Sequence, residues 1–377
     1  MIWIPVIFLL IYIIGVFRLL LLNRKYLRLS PKVVGDQLKH DFFITVIIAV
    51  RNEEKNIAFL LDSICKQEVD YEIIIVNDHS DDKTVYEVEQ FVKSNQSEHI
   101  KLLHLKEITK SPKKSAISLA IQEAKGDIIV TTDGDCIVPK EWLKGILESF
   151  QDSETKMVLG GVRYAPTQNV FEEIQGYELS ALLTISMTMA HYNRPFTCNG
   201  ANLAYRKNVF HEVNGFEGID MIASGDDELL MKKIVSRYPL GVAVQAGQFV
   251  DTLPNVTFKE FFYQRIRWAS KWKYGSWQEK LPGLFLMVLY LSFLLIIVPS
   301  PNTTANTIGE ITLIVFLVIK FIVDSVVIIL DFGQKMKTND FNFLIALLLF
   351  VIYPFYVILF GFSATFLKFS WKGRKLK

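Results

Sequence analysis

The sequence predicts an α/β fold with a mostly parallel sheet, joined to transmembrane helices on its N-terminal and C-terminal sides. The first observation is an alternation of short, β-branched apolar runs with helical stretches between residues 42 and 255. Such alternation is typical of right-handed βαβ units, which build parallel sheets. The second observation is that residues 1–22 and the chain after residue 281 are strongly apolar, whereas the middle has a mixed composition. One globular domain attached to a membrane is therefore the natural division of these 377 residues.

Net charge and cysteine content argue against two classes of protein. The formal net charge is only +2, so no global basic field predicts binding to nucleic acid. The three cysteines, Cys65, Cys136 and Cys198, lie far apart, without metal-type spacing and without an even number to pair. The sequence therefore predicts a reduced domain that faces the cytosol, in which the cysteines are small apolar side chains.

Residues 1–22 are almost uninterruptedly apolar and about long enough to span a bilayer. They lack a basic start and a small-residue cleavage site, so we interpret them as an anchor rather than a signal peptide. Arg24, Lys25, Arg28 and Lys32 follow in the linker 23–41, and nothing basic precedes the apolar run. The positive-inside rule then puts the N-terminus outside and the globular domain, residues 42–255, in the cytoplasm.

Strands and helices alternate regularly through this domain. The predicted strands span residues 42–50, 71–76, 100–105, 128–132 and 157–164. The predicted helices span residues 52–64, 83–93, 113–124 and 169–189, and another begins within 224–233. Ile and Val dominate the strands, and polar or glycine residues separate each strand from the next helix. No G-x-G-x-x-G motif occurs, so a dinucleotide-binding fold has no support.

Polar clusters follow three of the predicted strands. They are Arg51-Asn52-Glu53, Asp78-His79-Ser80 and Asp133-Gly134-Asp135. Ligands of parallel α/β sheets bind outside the carboxyl ends of the strands, which is where these clusters fall. The sequence therefore predicts a binding site along this edge of the sheet.

Asp133 and Asp135 are the two carboxylates on which this prediction is centred. In extended chain, residues two apart point to the same face, so one can contact a ribose while the other binds a divalent cation. Mg²⁺ and Mn²⁺ take oxygen ligands, usually a few from protein and several from substrate phosphates. Gly134, between them, is expected to let a bulky ligand approach the backbone.

Two later segments of the domain are further candidates for the binding site. Residues 197–206, TCNGANLAYR, combine Gly and Asn, which predicts a loop whose backbone approaches a ligand closely. Residues 224–233, SGDDELLMKK, start a helix with acids in its first turn. An ordinary N-cap with carboxylates favoured by the helix dipole explains that pattern from the residues alone. The alternative is that Asp226 or Asp227 is a general base.

Residues 256–280 interleave aromatic side chains with Lys and Arg at helical spacing, which predicts a helical region at a membrane interface. The same cations suit a nucleotide diphosphate. Apolar blocks 281–298, 308–330 and 341–367 predict about three spans within 281–369, followed by a basic tail, 370–377.

The orientation of these spans stays open. Three single spans leave the basic tail outside, against the charge rule, whereas a kinked or re-entrant segment at Pro354 returns it to the inside. Lys320 and Asp324 lie one turn apart in the middle block. We expect them to pair with each other rather than face a lipid headgroup or a water-filled groove.

Six ordered motifs between Phe42 and Trp268 resemble those of glycosyltransferase family 2, whose catalytic domain has the GT-A (nucleotide-diphospho-sugar transferase) fold, a Rossmann-like and mostly parallel sheet. In chain order they are VIIAVRNEEKNI, IIIVNDHSDD, SPKKSAISLAI, TTDGDC (the D-x-D motif), SGDDE and QRIRW (Q-x-x-R-W). The departures are Asn77 and His79, where Asp and Gly are usual, and Pro112, where Gly is usual.

The resemblance implies a role for particular residues. It implies that the donor is bound by Ala49, Arg51, Glu53, Asp78, Lys113, Asp133, Gln264, Arg267 and Trp268. It implies that Asp135, with Asp133, holds Mg²⁺ or Mn²⁺ on the diphosphate. The acceptor would contact Asn199, Gly200, Asp226 and Trp268, and Asp227 would be the catalytic base, in place of the N-cap interpretation.

The expected activity is therefore transfer of a sugar from a nucleotide-diphosphate donor to a membrane lipid hydroxyl, by a single displacement with inversion. A UDP-sugar is the expected donor, and a guanine nucleotide stays open. The expected location is a bacterial inner membrane, crossed several times, although a eukaryotic endomembrane enzyme would look similar. The alternatives are a processive polysaccharide synthase of the same family and a non-catalytic membrane scaffold that kept the fold.

Overall fold

The structure is a computed structural model that describes residues 3–29, 42–297, 311, 314–325, 342–366, 369–371 and 374–376. The chain forms two compact units. The helical unit comprises Met1–Arg28, Thr167–Thr184 and Asn255–Phe369, and the sheet unit comprises Leu29–Pro166, Ile185–Pro254 and Ser370–Lys377. Most of the linker 23–41, the loop 299–307 and the segment 331–340 lie outside the described residues.

The sheet unit is built on four parallel strands with the order β3-β2-β1-β4. They are β1 (Ile44–Val50), β2 (Tyr71–Asn77), β3 (Ile100–His104) and β4 (Ile128–Asp133). In β1, Ile44, Val46 and Ile48 belong to one apolar core and Ile47 to a second. A strand that is buried on both faces is typical of a parallel sheet between two layers of helices.

Four further strands make the sheet mixed. They are β5 (Cys136–Ile137), β6 (Met157–Tyr164), β7 (Leu203–Arg206) and β8 (Val242–Thr252), and they continue the sheet in the order β7-β6-β8-β5. β7 runs antiparallel to both β4 and β6, whereas β6 and β8 are parallel. The α/β fold predicted from the sequence is confirmed, and β5, β7 and β8 are strands that the sequence did not predict.

Six helices of the sheet unit cover or flank the sheet: α2 (Ile57–Ile64), α3 (Thr84–Asn95), α4 (Pro112–Glu123), α5 (Trp142–Ser149), α7 (Lys207–Glu212) and α8 (Glu228–Arg237). α2 packs Ile57, Leu60 and Leu61 into the first core, and α4 packs Ala116 and Ala120 into the second. Pro112 occupies the first turn of α4, where a missing N–H costs nothing.

The helical unit contains α1 (Trp3–Leu29), α9 (Phe258–Ser270), α10 (Trp277–Ile297), α11 (residues 314–325) and α12 (Phe343–Phe366), with the first part of α6 (Val170–His191). Leu9, Leu289 and Phe316 pack α1, α10 and α11 together. Within the described residues, Val6–Arg24 and Phe343–Gly361 are long and apolar enough to cross a membrane. Membrane association is therefore supported by length and composition.

Several predicted element boundaries differ from the structure. α2 begins at Ile57 rather than residue 52, because Asn52 has a positive φ of 53° and the chain turns there. The predicted helical region 256–280 is interrupted: α9 ends at Ser270 and α10 begins at Trp277. α12 is helical through Pro354 without a break.

In α11, Lys320 and Asp324 form the expected ion pair, and the Tyr12 hydroxyl donates to Asp324 at 2.6 Å.

Candidate active site

The register of the parallel strands brings the three predicted polar clusters to one edge of the sheet. Ala49 near the end of β1 is paired with Asp133 at the end of β4, and Val50 is paired with Asn77 at the end of β2. The backbone N–H of Asp78 donates to the carbonyl of Val50 at 2.8 Å. The strands therefore end at the same level, as a carboxyl-edge site requires.

Arg51 fixes the loop that follows β2. Its buried guanidinium donates to the carbonyl of Asp78 at 3.0 Å and to the carbonyl of His79, and it pairs with Asp81 at 2.7 Å. His79 has a φ of 51°, in the left-handed region that Gly adopts at low cost. The turn thus has the geometry that its usual glycine would provide, although the side chain is an imidazole. Arg51 has a structural task in this loop that the sequence did not predict.

The Glu53 side chain lies against Gly134 on the side where a Cβ would project. The approach of a ligand to the Gly134 backbone stays a prediction. A Cβ at residue 134 would be 2.8 Å from Cγ of Glu53 and 3.2 Å from Cγ1 of Val50. Glu53 itself is buried and accepts a hydrogen bond from Asn56 at 2.8 Å. Packing of Glu53 against the D-x-D turn is a structural reason for the absence of a side chain at residue 134.

Lys113 joins the two carboxylate-bearing segments of the site. Its ammonium lies 2.6 Å from Oδ1 of Asp133, the last residue of β4, and 3.1 Å from Oδ2 of Asp226, which precedes α8. The two aspartates are more than ninety positions apart in the chain, and one cation contacts both. The predicted donor and acceptor segments are thereby held side by side within the sheet unit.

The charge state of Lys113 follows from these contacts. Burial lowers the pKa of an ammonium, but the attraction of Asp133 and Asp226 outweighs burial and raises the pKa of Lys113 well above its ordinary value. Lys113 therefore remains a cation throughout the physiological pH range.

Asp227 combines two contacts. It is the N-cap of α8, where its Oδ1 accepts from the Glu228 N–H at 2.6 Å, and its Oδ2 accepts from the Gly200 N–H at 3.2 Å. The N-cap interpretation is thus a real structural role of Asp227.

The segment 197–206 is only partly the predicted loop. Asn199 caps a short 3₁₀ turn, Gly200–Asn202, through a bond from the Ala201 N–H, and the chain then enters β7. A Cβ at Gly200 would lie 3.1 Å from Oδ2 of Asp226 and 3.3 Å from the Lys113 ammonium. Gly200 thus lies against two predicted site residues, and the approach of a ligand to its backbone stays a prediction. Residues 203–206 are strand because they pair with both β4 and β6.

Lys114 is a residue that the sequence analysis missed. Its buried ammonium donates to the carbonyls of Ile219 and Ile222, each at 2.7 Å, and of Ser224 at 3.0 Å. These carbonyls belong to the loop that leads directly into Asp226 and Asp227. Neighbouring lysines of α4 therefore hold this loop at two points, Lys113 through a carboxylate and Lys114 through the backbone. The doubled lysine in SPKKS was the available indication.

Asp135 follows Asp133 in the turn after β4 and is half-buried. No group of three or more His, Cys, Asp or Glu comes together as a metal cluster in the part of the chain that the structure describes. Mg²⁺ does not need such a cluster, since it commonly binds through one or two carboxylates plus phosphate oxygens and water. The oxygen-only donor set of Asp133 and Asp135 fits a cation of this type.

The predicted residues Gln264, Arg267 and Trp268 lie on α9, in the helical unit. Thr257 and Glu260 form a capping box that starts this helix. Arg265 is the buried cation: it pairs with Glu178 of α6 and lies 4.3 Å from the Trp268 ring. Gln264 accepts a hydrogen bond from Asn255 at 2.8 Å. The Q-x-x-R-W helix is therefore anchored by Arg265, which the sequence predicted as a cation of the membrane interface rather than as a buried partner of Glu178.

Comparison with known proteins agrees with this geometry. The profile of Glycosyl transferase family 2 matches residues 45–213. An uncharacterized glycosyltransferase of Synechocystis sp. is 30% identical over 253 residues, which cover 64% of this chain and 68% of that protein. The chain belongs to glycosyltransferase family 2 and is a glycosyltransferase, as its motifs predicted.

Other relatives and one solved structure extend the comparison. The poly-beta-1,6-N-acetyl-D-glucosamine synthase of Staphylococcus aureus (strain COL) is 26% identical over 250 residues, 66% of this chain and 58% of the synthase. The AglE glycosyltransferase of Haloferax volcanii is 26% identical over 187 residues, 49% of this chain and 59% of that protein. These matches span little more than half the length of either relative.

The structural comparison concerns the fold. A mannosyltransferase of Pyrobaculum calidifontis, solved in complex with GDP-Man and Mn²⁺, superposes with a TM-score of 0.54 at 16% identity. The superposition covers 97% of this chain and 99% of the mannosyltransferase. At this level of identity the likeness establishes the GT-A fold.

Proposed function

We propose that this glycosyltransferase moves a sugar from a nucleoside-diphosphate donor, a UDP-sugar, to a hydroxyl of a membrane lipid, with inversion at the anomeric carbon. The observation that carries the proposal is Lys113, whose ammonium contacts both Asp133 and Asp226. A reaction that joins two substrates needs their binding groups in one site, held in a fixed mutual geometry. On this proposal Ala49, Arg51, Glu53, Asp78 and Asp133 bind the donor, and Asn199, Gly200 and Asp226 contact the acceptor.

A divalent cation, Mg²⁺ or Mn²⁺, would be held by Asp135 and Asp133 and would neutralise the charge of the departing diphosphate. The mannosyltransferase of similar fold was solved with Mn²⁺, which supports a divalent metal. The same structure contains GDP-Man, so a guanine nucleotide is the competing donor. Arg267, Gln264 and Trp268 of α9 would bind the diphosphate and the acceptor.

The chemical step uses Asp227. The acceptor oxygen forms a bond to the anomeric carbon as the bond from that carbon to the diphosphate oxygen breaks, and the diphosphate leaves with the electron pair. The hydroxyl proton passes to the Asp227 carboxylate, which its contacts with the N–H groups of Glu228 and Gly200 hold in place. A single displacement of this kind inverts the configuration.

The lipid acceptor is supported by the apolar helices. Val6–Arg24 and Phe343–Gly361 have the length and composition of spans, and Phe258, Trp277 and Leu281 are exposed at or near the start of α9 and α10. Exposed aromatic side chains beside spans favour the membrane interface. We place the protein in a bacterial inner membrane, crossing it several times, with the sheet unit in the cytoplasm.

The second candidate is a processive polysaccharide synthase. The relatives of Staphylococcus aureus and Staphylococcus epidermidis are poly-beta-1,6-N-acetyl-D-glucosamine synthases. The length of the product distinguishes the two functions, because a single transfer gives one discrete glycolipid whereas a synthase gives a long polymer.

The first test offers labelled UDP-sugars and GDP-sugars to the purified protein in its native lipids, with Mn²⁺ or Mg²⁺. Label in one organic-extractable lipid, lost on addition of a chelator, is the expected result. Label in long insoluble material would favour the synthase. Absence of transfer from every donor by folded protein would contradict both functions.

The second test separates the roles of the carboxylates. Asp227→Asn keeps an acceptor oxygen at the N-cap but replaces the oxygen that accepts from the Gly200 N–H with an NH2 group, so we expect a small fall in melting temperature with the protein still folded. Its turnover should fall by roughly 10²–10⁴-fold because Asn cannot accept the proton. Asp135→Asn should lose activity, and added Mn²⁺ or Mg²⁺ should not restore it. Asp62→Asn, at an exposed carboxylate of α2, is the control and should have wild-type activity.

A further inference from the structure

The carboxylate of Asp78 is already occupied in this structure by a residue 296 positions later in the chain. Nη1 of Arg374 donates to Oδ1 and to Oδ2 of Asp78, both at 2.8 Å, and Nη2 lies 3.4 Å from the Asp78 carbonyl oxygen. The exposed fractions of the two side chains are 14% for Arg374 and 4% for Asp78. The pair is thus largely removed from water.

The position of Asp78 is fixed independently of Arg374. Its backbone N–H bonds to Val50, its carbonyl accepts from Arg51, and Nδ1 of His79 lies 3.1 Å from its Oδ1. A buried carboxylate without a strong partner is costly, and an Arg that contacts both of its oxygens is among the stronger partners available. Arg374 belongs to the strand β10 (Arg374–Leu376), which pairs with β9 (Phe369–Trp371). Asp78 and Arg374 belong to the same compact unit.

We propose that Arg374 is a donor-site residue that competes with the nucleotide base for Asp78. This inference rests on the proposed function, in which the Asp78 carboxylate accepts an N–H of the base. The imide N–H of uracil and the N–H of guanine are both donors that a carboxylate accepts. A base that takes these oxygens must displace the guanidinium from them, so Arg374 holds Asp78 in the empty site and is released when the donor binds.

Such competition has a measurable consequence. Only protein in which Arg374 does not contact Asp78 can bind the base. The apparent dissociation constant of the nucleotide therefore equals the intrinsic constant divided by the fraction of protein in that form. If the contact between Arg374 and Asp78 stabilises the empty site by one or two kcal/mol, its removal changes the binding equilibrium of the nucleotide by a factor of about 5–30. Arg374→Ala should therefore tighten binding by about that factor. Arg374→Lys should do so less, because an ammonium retains the charge beside the carboxylate but lacks the second nitrogen, which in Arg374 lies 3.4 Å from the Asp78 carbonyl oxygen.

The experiment titrates UDP and, separately, uridine into the full-length protein in one detergent with fixed Mn²⁺, and GDP and guanosine in parallel. The proteins are the wild type, Arg374→Ala, Arg374→Lys and the control Lys375→Ala, which removes one positive charge from the same strand. Tighter binding of both nucleotide and nucleoside by Arg374→Ala, with Lys375→Ala unchanged, is the expected result. The nucleoside lacks phosphate, so its response reports on the base alone.

Three outcomes would overturn the inference. Equal affinity of wild type and Arg374→Ala would mean that Arg374 does not compete, while the proposed function stands. Weaker binding of UDP with unchanged binding of uridine would make Arg374 a phosphate contact. Failure of every variant to bind any of the four probes would overturn the proposed function, and this inference with it.

Hydrogen exchange provides a second measurement that does not depend on a variant. Amides of β9 and β10 should exchange faster in wild-type protein saturated with UDP than in the empty protein, because the anchor at Asp78 is released. Slower exchange in these strands on addition of UDP would contradict displacement.

Discussion

Two adjacent lysines at the start of α4 have different tasks. Lys113 contacts the carboxylates of Asp133 and Asp226, whereas Lys114 is directed to the backbone carbonyls of Ile219, Ile222 and Ser224. Residues one apart on a helix point in directions about 100° apart, so neighbouring side chains can serve different partners. The chemistry of the site therefore depends on the direction of each side chain as much as on its identity.

The first prediction concerns the pH dependence of Lys113. Its pKa is raised in the folded protein, so its contribution to stability is complete below the ordinary pKa of 10.5 and is lost only as pH rises through the higher folded value. We expect the difference in melting temperature between wild type and Lys113→Met to be constant from about pH 6 to pH 9. Melting curves at several pH values measure this difference, and a change of sign within that range would contradict the assignment of charge.

The second prediction concerns Lys114. Lys114→Met removes the cation that contacts three backbone carbonyls, which should lower the free energy of unfolding by about 1–3 kcal/mol. Turnover should fall further than donor affinity, because the loop that leads to Asp226 and Asp227 loses its support. Hydrogen exchange should rise in residues 219–227. Lys125→Met, at an exposed lysine beyond the end of α4, is the control.

Stability and donor affinity distinguish the interpretations of Lys114. If Lys114 only stabilised the fold, Lys114→Met would lose donor binding and turnover together in proportion to the unfolded fraction. Unchanged exchange in residues 219–227 would also contradict a role in positioning the loop.

At the scale of elements, the turn between α4 and β4 lies very close to the start of β1. Gly126 donates to the Thr45 hydroxyl at 2.9 Å, and a Cβ at residue 126 would lie 2.4 Å from the backbone N of Thr45. No side chain fits at that distance without a shift of β1 or β4. Since Ala49 of β1 is registered with Asp133 of β4, this contact also sets the level at which the two strands end.

The third prediction follows from that contact. Gly126→Ala should destabilise the protein by about 1–3 kcal/mol, the range found for overpacked sites. Denaturant unfolding, followed by far-UV circular dichroism, measures the change in the free energy of unfolding. Gly15→Ala is the control, because a Cβ there meets no atom within 4 Å. Equal midpoints for the two variants would show that the backbone yields to the extra methyl group.

At the scale of the whole molecule, the chain combines a mixed sheet unit with a helical unit whose segments come from three separate parts of the sequence. The helical unit carries both described helices that could span a membrane, and their residues are mostly exposed. Apolar helices that are not covered by protein require a nonpolar environment.

The fourth prediction is that the full chain is an integral membrane protein. Membranes from expressing cells washed with alkaline carbonate should retain the chain in the pellet, and detergent should release it. A chain that carbonate releases would be peripheral, which would contradict the assignment of spans and weaken the case for a lipid acceptor.

The sequence alone determined the family, the α/β class and the strands β1 to β4 and β6. Buried parallel strands such as β1 and β2 are recognisable because they are continuous runs of Ile and Val. It missed β5, β7 and β8. The segment of β7, Leu203–Arg206, is short and follows a loop-like composition, and strand pairing with β4 and β6 decides its conformation. It also did not indicate that Glu53 packs against Gly134.

What the sequence determined about this protein is the set of chemical groups and their order along the chain. The tertiary structure alone decided which groups meet: Lys113 with Asp133 and Asp226, Lys114 with the loop before Asp226, Arg265 with Glu178, and Arg374 with Asp78. The physical reason is that periodicity and composition report on local conformation and burial, whereas contacts between distant residues depend on strand register and helix packing.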